Sequence, residues 1–179
     1  LTNRRQRQMC IRDSFNNMQL TIPKVDYKII SNQLDASFNA ELEKFNYAIS
    51  HYGFLLLQNT PIDKKVKNNI LKTYKAFFDL PFEEKNKVNM DLTSSNRGWG
   101  APKGEQVNPD YNPDYKEIFD TGPHQKVKDE FRDLTYYAKN LWPEQLPLFE
   151  NTVNNYYDLC TEIGMHVLSF IERSLDLSL

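Results

Sequence analysis

The chain has 179 residues, and its hydrophobic content of 40% is enough for one domain with an ordinary core. Its net charge of −2 excludes a general electrostatic attraction to nucleic acid or to an anionic membrane. No apolar run approaches the ~18–20 residues that a membrane span requires, and the two cysteines are too few for a disulfide scaffold, which favours a reducing, cytoplasmic location.

The first residues differ from the rest of the chain. Residues 1–14 contain four arginines, no hydrophobic periodicity and no apolar centre of the kind that a signal peptide has. The run Met9-Cys-Ile-Arg-Asp-Ser14 resembles the translation of an adapter used to build sequencing libraries, and Leu177-Ser-Leu179 fits the same adapter read on the opposite strand. We interpret residues 1–14 as a non-biological leader, residues 177–179 as a non-biological tail and residues 18–176 as the domain. The alternative for the leader is a disordered basic arm.

The first predicted elements alternate between extended chain and helix. Residues 21–27 are predicted to be extended, and the spacing of apolar residues predicts a helix over 37–52 that Gly53 ends. The apolar run 54–57 follows at once. We expect it to be a short strand that is buried on both faces.

The next predicted helix begins at Asp63, which is suited to cap it, and ends at Leu80-Pro81. Residues 127–140 are predicted to be a mostly exposed helix. The final helix is predicted over residues 148–173, with Cys160 as an inert buried thiol in its apolar stripe. The members of that stripe are Phe149, Val153, Tyr156, Cys160, Ile163, Val167 and Ile171.

Residues 97–123 form a long irregular segment between these helices. Three of the six glycines fall at positions 98–104, and prolines follow at 102, 109 and 113, so the segment cannot be a regular helix. Loops of this length in a compact domain are usually functional or disordered. The segment carries too much aromatic and apolar surface for a plain linker, so we predict that it is folded and forms a site.

Several short motifs occur in one order along the chain. They are Ile22-Pro-Lys-Val-Asp26, His51-Tyr-Gly-Phe54, Phe77-Phe-Asp-Leu-Pro81 with Glu84-Lys85, Arg97-Gly-Trp99 with Lys116-Glu-Ile-Phe-Asp120, and Trp142-Pro143. The series resembles the N-terminal region of isopenicillin N synthase-like non-haem oxygenases, most of which use Fe(II) and 2-oxoglutarate. One departure is Asn59-Thr-Pro61, where these proteins often carry Asn-His-Gly.

The resemblance covers roughly residues 22–176 and implies the fold class. It implies an α/β (α+β) fold that is the helical and short-strand portion of a double-stranded β-helix (jelly-roll) oxygenase, with most of the barrel absent from this chain.

The same resemblance implies an iron site that these residues do not supply. The family binds Fe(II) through His-x-Asp and a distant second histidine, and it anchors 2-oxoglutarate with Arg-x-Ser. None of His51, His124 and His166 begins a His-x-Asp or His-x-Glu. We assign no catalytic and no metal-binding residue, and we predict that this chain alone binds neither Fe(II) nor 2-oxoglutarate and is inactive.

Substrate binding is predicted for Arg97, Trp99 and Phe119, because by resemblance this part of the chain lines the substrate entrance. The fork of Arg97 suits a carboxylate, but it could equally pair with Glu105 or Glu117 and pin the loop. Trp99 could be a platform for substrate or the hydrophobic anchor of the loop.

The leading interpretation is the N-terminal portion of an oxidoreductase. In the complete enzyme Fe(II), O2 and the decarboxylation of 2-oxoglutarate to succinate and CO2 would drive oxidation of a small organic substrate. We expect no nucleic-acid or membrane partner, and the substrate and the oligomeric state stay open. The alternative is a non-catalytic helical domain for ligand binding or protein interaction. A reading frame that continues into His-x-Asp…His would favour the oxygenase, and one that stops near Leu179 would favour the alternative.

The apolar stripe of the final helix generates a prediction about the isolated polypeptide. In the family this stripe packs partly against the barrel, so we expect the chain to expose apolar surface and to be either aggregation-prone or partly molten. Thermal unfolding of residues 18–176, followed by circular dichroism, should be broad. A sharp cooperative transition of a soluble monomer would contradict the truncation hypothesis.

Overall fold

The structure is a computed structural model that describes residues 21–93, 95–102, 115–124, 128–131, 134 and 137–175. Within these residues the contacts divide the chain into two compact units. Residues 21–60 and 165–175 form what we call the terminal unit, and the described residues of 61–164 form the middle unit. The predicted leader, residues 1–14, and the predicted tail, residues 177–179, lie outside the described residues.

The terminal unit contains two strands in one parallel sheet and three helical segments. Strand β1 (Lys24–Asp26) leads directly into the short helix α1 (Tyr27–Ile30), and helix α2 (Phe38–Tyr52) precedes strand β2 (Leu56–Gln58). The third segment is residues 165–174 of the last helix. As predicted, α2 ends at Gly53, which adopts a left-handed φ of 74° that few other residues tolerate.

The core of the terminal unit is apolar except for one carboxylate. Its fully or nearly buried apolar members are Val25, Ile30, Phe38, Phe45 and Phe170. Glu41 lies among them and is only 4% exposed. A buried charge is costly unless it is paired and hydrogen-bonded. Glu41 meets both conditions, because the amide of Asp26 donates to its Oε1 at 2.8 Å and Lys44 Nζ donates to its Oε2 at 2.7 Å.

The middle unit contains two helices, a two-stranded antiparallel sheet and the first part of the last helix. Helix α3 (Lys64–Phe78) begins as predicted at Asp63, whose carboxylate accepts from the amide of Val66 at 2.8 Å. Helix α4 (Phe82–Asn86) follows, then strands β3 (Gly98–Gly100) and β4 (Ile118–Asp120). The 3₁₀ turns Met90–Leu92 and Asp129–Phe131 come before β3 and after β4.

The last helix, α5 (Phe149–Ser174), agrees with its predicted bounds to within one residue. Its residues 149–164 belong to the middle unit and residues 165–174 to the terminal unit. In the part of the chain that the structure describes, no helix has both the length and the apolar character needed to cross a membrane.

Aromatic rings dominate the core of the middle unit. The Phe119 ring centre lies 4.6 Å from that of Phe77 and 5.0 Å from that of Phe149, both in edge-to-face geometry. The packing therefore joins α3, β4 and α5 through one aromatic cluster. The buried residues of this core are Ile70, Phe77, Val88, Trp99, Phe119, Phe149 and Val153.

Three expectations about single segments are wrong or only partly tested. The strand after α2 is not buried on both faces, since Phe54 is 55% and Leu56 is 47% exposed and β2 pairs only with β1 among the described residues. Cys160 is exposed rather than buried, because the core of the middle unit covers α5 only up to about Tyr156. The described residues of 127–140 include the 3₁₀ turn Asp129–Phe131 and a further 3₁₀ residue, Tyr137, but no α-helical residue, and the others of that stretch lie outside the description.

Tyr74 gives the middle unit an alkaline limit of stability. Burial raises the pKa of the Tyr74 hydroxyl above its ordinary value, and the charges of Asp120 and Tyr156 raise it further. The folded protein therefore keeps a proton that the unfolded chain loses near about pH 10. The stability contributed by this group is intact below about pH 10 and is lost as the pH rises through the higher pKa of the folded state.

We expect Tyr74→Phe to reduce the loss of stability between about pH 9 and about pH 11, measured as the free energy of unfolding in urea of the protein read from the complete natural reading frame. The loss should shrink rather than vanish, because burial and its contact with Cys160 raise the pKa of Tyr156 as well. The matched control is Tyr47→Phe, an exposed tyrosine of α2. An equally steep alkaline loss in Tyr74→Phe and in the unchanged chain would contradict the assignment.

Candidate functional site

The antiparallel pair β3–β4, which we call the ribbon, organises the long segment that the sequence singles out. Its register pairs Gly98 with Asp120, Trp99 with Phe119 and Gly100 with Ile118. Successive side chains of a strand point to opposite faces. Trp99 and Phe119 therefore share one face of the ribbon, while Gly100, Ile118 and Asp120 share the other.

The face with Trp99 and Phe119 belongs to the core. Trp99 is 0% and Phe119 8% exposed. The indole N–H of Trp99 donates to Glu117 Oε2 at 2.8 Å. Lys85 Nζ donates to the same oxygen at 2.8 Å and also to the carbonyl of Phe78 at 3.2 Å. Lys85 lies 5.3 Å from the centre of the Trp99 ring as well, so a cation–π contact closes the cluster Lys85–Glu117–Trp99.

Gly98 lets the chain before the ribbon approach it closely. Its φ of 110° is a conformation that glycine adopts readily and other residues rarely do. A Cβ at this position would overlap the carbonyl oxygen of Val88. That oxygen accepts from the amide of Trp99 at 2.7 Å, so the absence of a side chain at Gly98 is what permits this hydrogen bond.

The other face of the ribbon forms one wall of a cleft with a volume of about 380 Å³. The floor is partly apolar, and several charged and amide side chains lie around it. The apolar and small lining residues are Met90, Gly100, Ala101 and Ile118. The polar lining residues are Asn89, Asp91, Asn96, Lys116 and Asp120.

Arg97 lies beside this cleft and packs on a glycine. A Cβ on Gly122 would overlap the Arg97 guanidinium, which means that the planar group rests directly against the backbone there. Arg97 Nη1 donates to the carbonyl of Asn96, a cleft residue, at 2.8 Å. The backbone of Gly122 is itself held by Asn140, whose side-chain amide accepts from its N–H at 2.8 Å and donates to its carbonyl at 3.0 Å.

Of the three predicted site residues, Trp99 and Phe119 lie on the core face of the ribbon, opposite the cleft lining, and Arg97 lies at the edge of the cleft. Of the two partners that the sequence offers Arg97, Glu117 is engaged by Lys85 and Trp99, and Glu105 lies outside the described residues. The burial of Trp99 favours the anchor role that the sequence left open. Substrate binding by Arg97, Trp99 and Phe119 stays a prediction.

Sequence reasoning missed the polar residues of the cleft, above all Lys116 and Asp120. A usable signal was present in the alternation of residues 116–120. If Phe119 faces the core, then Glu117 shares its face, and Lys116, Ile118 and Asp120 must take the opposite one. What the sequence did not reveal is the register with residues 98–100, which places Gly100 opposite Ile118 and leaves the space open.

The described residues do not fit an iron site. They contain no group of three or more His, Cys, Asp or Glu side chains that could hold a metal ion. His51 Nδ1 donates to the carbonyl of Tyr47, His124 Nε2 donates to Asp158 at 2.8 Å, and His166 Nδ1 is hydrogen-bonded to the Tyr27 hydroxyl at 2.5 Å. Each histidine thus has a structural partner.

Comparison with known proteins identifies relatives over most of the chain. Residues 22–145 match the family model described as non-haem dioxygenase in morphine synthesis N-terminal. The 2-oxoglutarate-dependent dioxygenase tropC of Talaromyces stipitatus is 35% identical over 163 residues, covering 86% of this chain and 49% of the relative. Proline hydroxylase buaE of Petromyces alliaceus and codeine O-demethylase of Papaver somniferum are each 28% identical, covering 88% of this chain and 49% and 41% of those relatives.

Solved structures agree with these relatives. A 2OG-Fe(II) oxygenase family protein from Caulobacter crescentus superimposes with a TM-score of 0.73 at 25% identity, covering 88% of this chain and 50% of that one. A full-length protein of Neurospora crassa, solved in complex with alpha-KG, gives a TM-score of 0.70 at 25% identity, covering 91% and 50%. The predicted fold class, the helical and short-strand portion of a jelly-roll oxygenase, is thereby confirmed.

The chain spans about half the length of the curated relatives it matches. The matched range falls inside the predicted domain of residues 18–176, whose outer bounds stay predictions. The family model covers well over half of the chain, and the named relatives agree with it. The chain belongs to the non-haem dioxygenase N-terminal family, the group that its sequence motifs resemble.

Proposed function

We propose that this chain supplies one wall of the substrate site in an oxidoreductase that couples Fe(II), O2 and 2-oxoglutarate decarboxylation to oxidation of a small organic molecule. The observation that carries the proposal is the family match over residues 22–145 together with relatives that are named 2-oxoglutarate-dependent dioxygenases. Relatives named for proline and codeine, and a structural neighbour solved with thymine, support a small organic substrate. The cytoplasmic location expected from the cysteine content stays a prediction.

The proposal assigns the cofactors to residues other than those described here, because the described side chains do not form an iron site. Fe(II) and 2-oxoglutarate, when bound, supply with O2 the oxidising power of the reaction and release succinate and CO2. The part left to this chain is to bind the substrate, to orient it and to keep water from it.

In this proposal the two faces of the ribbon have different roles: one packs in the core and the other faces the substrate. Trp99 and Phe119 sit behind the cleft wall and fix its position through the core and the Lys85–Glu117–Trp99 cluster. Gly100, Ile118 and Asp120 face the open space of about 380 Å³. We propose that the predicted substrate site takes this form, with Trp99 and Phe119 acting through the wall and Arg97 at its edge beside Asn96.

The proposed activity predicts succinate release by the protein read from the complete natural reading frame. We expect release that requires Fe(II), O2 and 2-oxoglutarate together and that rises when an oxidisable substrate is added. The assay is succinate quantification with each component omitted in turn. A frame that ends at Leu179, or a longer protein that never releases succinate, would contradict the oxygenase and favour the non-catalytic domain.

Arg97 provides a test of substrate contact in that active protein. We expect Arg97→Ala to raise the KM for the organic substrate by about tenfold, the effect of losing one hydrogen bond to a charged group. The KM for 2-oxoglutarate should stay within about twofold of its original value. The matched control is Arg173→Ala, an arginine near the end of α5 and outside the middle unit. Unchanged kinetics with a lower free energy of unfolding would instead make Arg97 a structural pin of the loop.

A further inference from the structure

Asp120 is an acidic residue of the cleft whose carboxylate is bound by no described residue. It ends β4 on the cleft face and is half-buried. Among the described residues its carboxylate accepts no hydrogen bond and makes no ion pair. Glu117, three positions earlier on the core face, has both of these from Lys85 and Trp99. The two carboxylates thus lie on opposite faces of residues 117–120. Glu117 is bound by a lysine and an indole N–H, and Asp120 is bound by neither kind of group among the described residues.

Asp120 has charged neighbours, but among the described residues it forms no ion pair with them. Its negative charge is felt by Tyr74, whose pKa it raises after the larger effect of burial. Asp91 also lines the cleft and adds a second negative charge. Lys116 is the cationic member of the lining, and it lies four residues before Asp120, beyond the last paired residues of the ribbon. Arg97 packs its guanidinium on backbone groups at the edge of the cleft. The described lining therefore contains two carboxylates, Asp91 and Asp120, and one lysine.

A half-buried carboxylate without a partner gains free energy when a cation binds to it, because the interaction is strengthened where water is partly excluded. The chemistry of the lining favours an organic cation over a metal ion. The described residues hold no group of three or more metal-ligating side chains, and the floor beside Asp120 presents the hydrocarbon of Ile118 and Met90. An alkylammonium ion fits both features, with its charge at Asp120 and its carbon chain on that floor.

We propose that the cleft binds an organic ammonium group at Asp120 and, resting on the proposed function above, that the substrate of the oxygenase carries such a group. Asp120 then selects substrates by their positive charge, and Gly100 leaves the space that the substrate occupies. A Cβ at Gly100 would lie 2.8 Å from Ile118 Cγ1 and 3.0 Å from Met90 Cε, so a side chain here would push both residues into the cleft.

The test compares three probes of equal length, pentylamine, pentan-1-ol and pentanoate, titrated near neutral pH into the isotope-labelled protein read from the complete natural reading frame. Binding is followed by two-dimensional NMR at the amides of Gly100, Ile118 and Asp120. We expect pentylamine to bind about tenfold more tightly than pentan-1-ol, as for one charge-assisted hydrogen bond, and pentanoate to bind most weakly. All three affected amides should shift together in the amine titration.

Two variants and a control separate charge from shape. Asp120→Asn should lower the affinity for pentylamine to that for pentan-1-ol, because it removes the charge and keeps the volume. Gly100→Ala should weaken both probes and keep their ratio. The control, Asp79→Asn, removes an exposed acid of the α3 C-terminus that pairs with Lys75 and should leave the tenfold preference intact. Dispersed amide spectra of each variant report that it is folded.

Equal affinity for pentylamine and pentan-1-ol, or a preference that persists in Asp120→Asn, would overturn the proposal. The outcome is independent of the succinate assay. If succinate is released but the amine preference is absent, the substrate class is wrong and the oxygenase function stands. If the preference is present and succinate is never released, the cation site stands and the oxygenase function is wrong.

Discussion

The carboxylate of Glu117 is the interaction on which the middle unit depends. One of its oxygens accepts from both the Trp99 indole and the Lys85 ammonium at 2.8 Å. The side chains of Lys85 and Glu117 are only 11% and 27% exposed. If their hydrogen bonds were broken, water could therefore replace few of them. Leaving a buried donor unsatisfied costs about 1–3 kcal/mol. The hydrogen bonds therefore fix α4, β3 and β4 relative to one another and make the ribbon a rigid wall.

Three carboxylates of the chain differ in whether described residues bind them. Glu41 in the terminal unit is buried and Glu117 in the middle unit is partly buried, and each is bound by a lysine and by an N–H group. Both carboxylates stabilise the fold, because a charge that is held by several hydrogen bonds has one favourable position. Asp120 has neither kind of partner among the described residues and faces a cleft. No described residue binds its charge, and this difference is the basis of the proposal that a ligand binds there.

The sequence predicted those features that depend on neighbouring residues. The Asp63 cap, the Gly53 stop and the 26-residue last helix follow from local rules and were confirmed. The motif order also identified the family. Partners distant in sequence were not predictable in the same way. The sequence offered Glu117 as a partner of Arg97, whereas the structure gives Glu117 hydrogen bonds from Lys85 and Trp99. The cleft was missed for a related reason, since it depends on the register of residues 98–100 against 118–120.

The alternation along β4 has a consequence for how such a protein can change during evolution. The positions that hold the fold, Glu117 and Phe119, are interleaved with the positions that face the cleft, Lys116, Ile118 and Asp120. A single short segment therefore carries two sets of residues, one that holds the fold and one that faces the cleft. New chemical preferences can arise by changing alternate residues of this segment while the framework behind them is inherited intact.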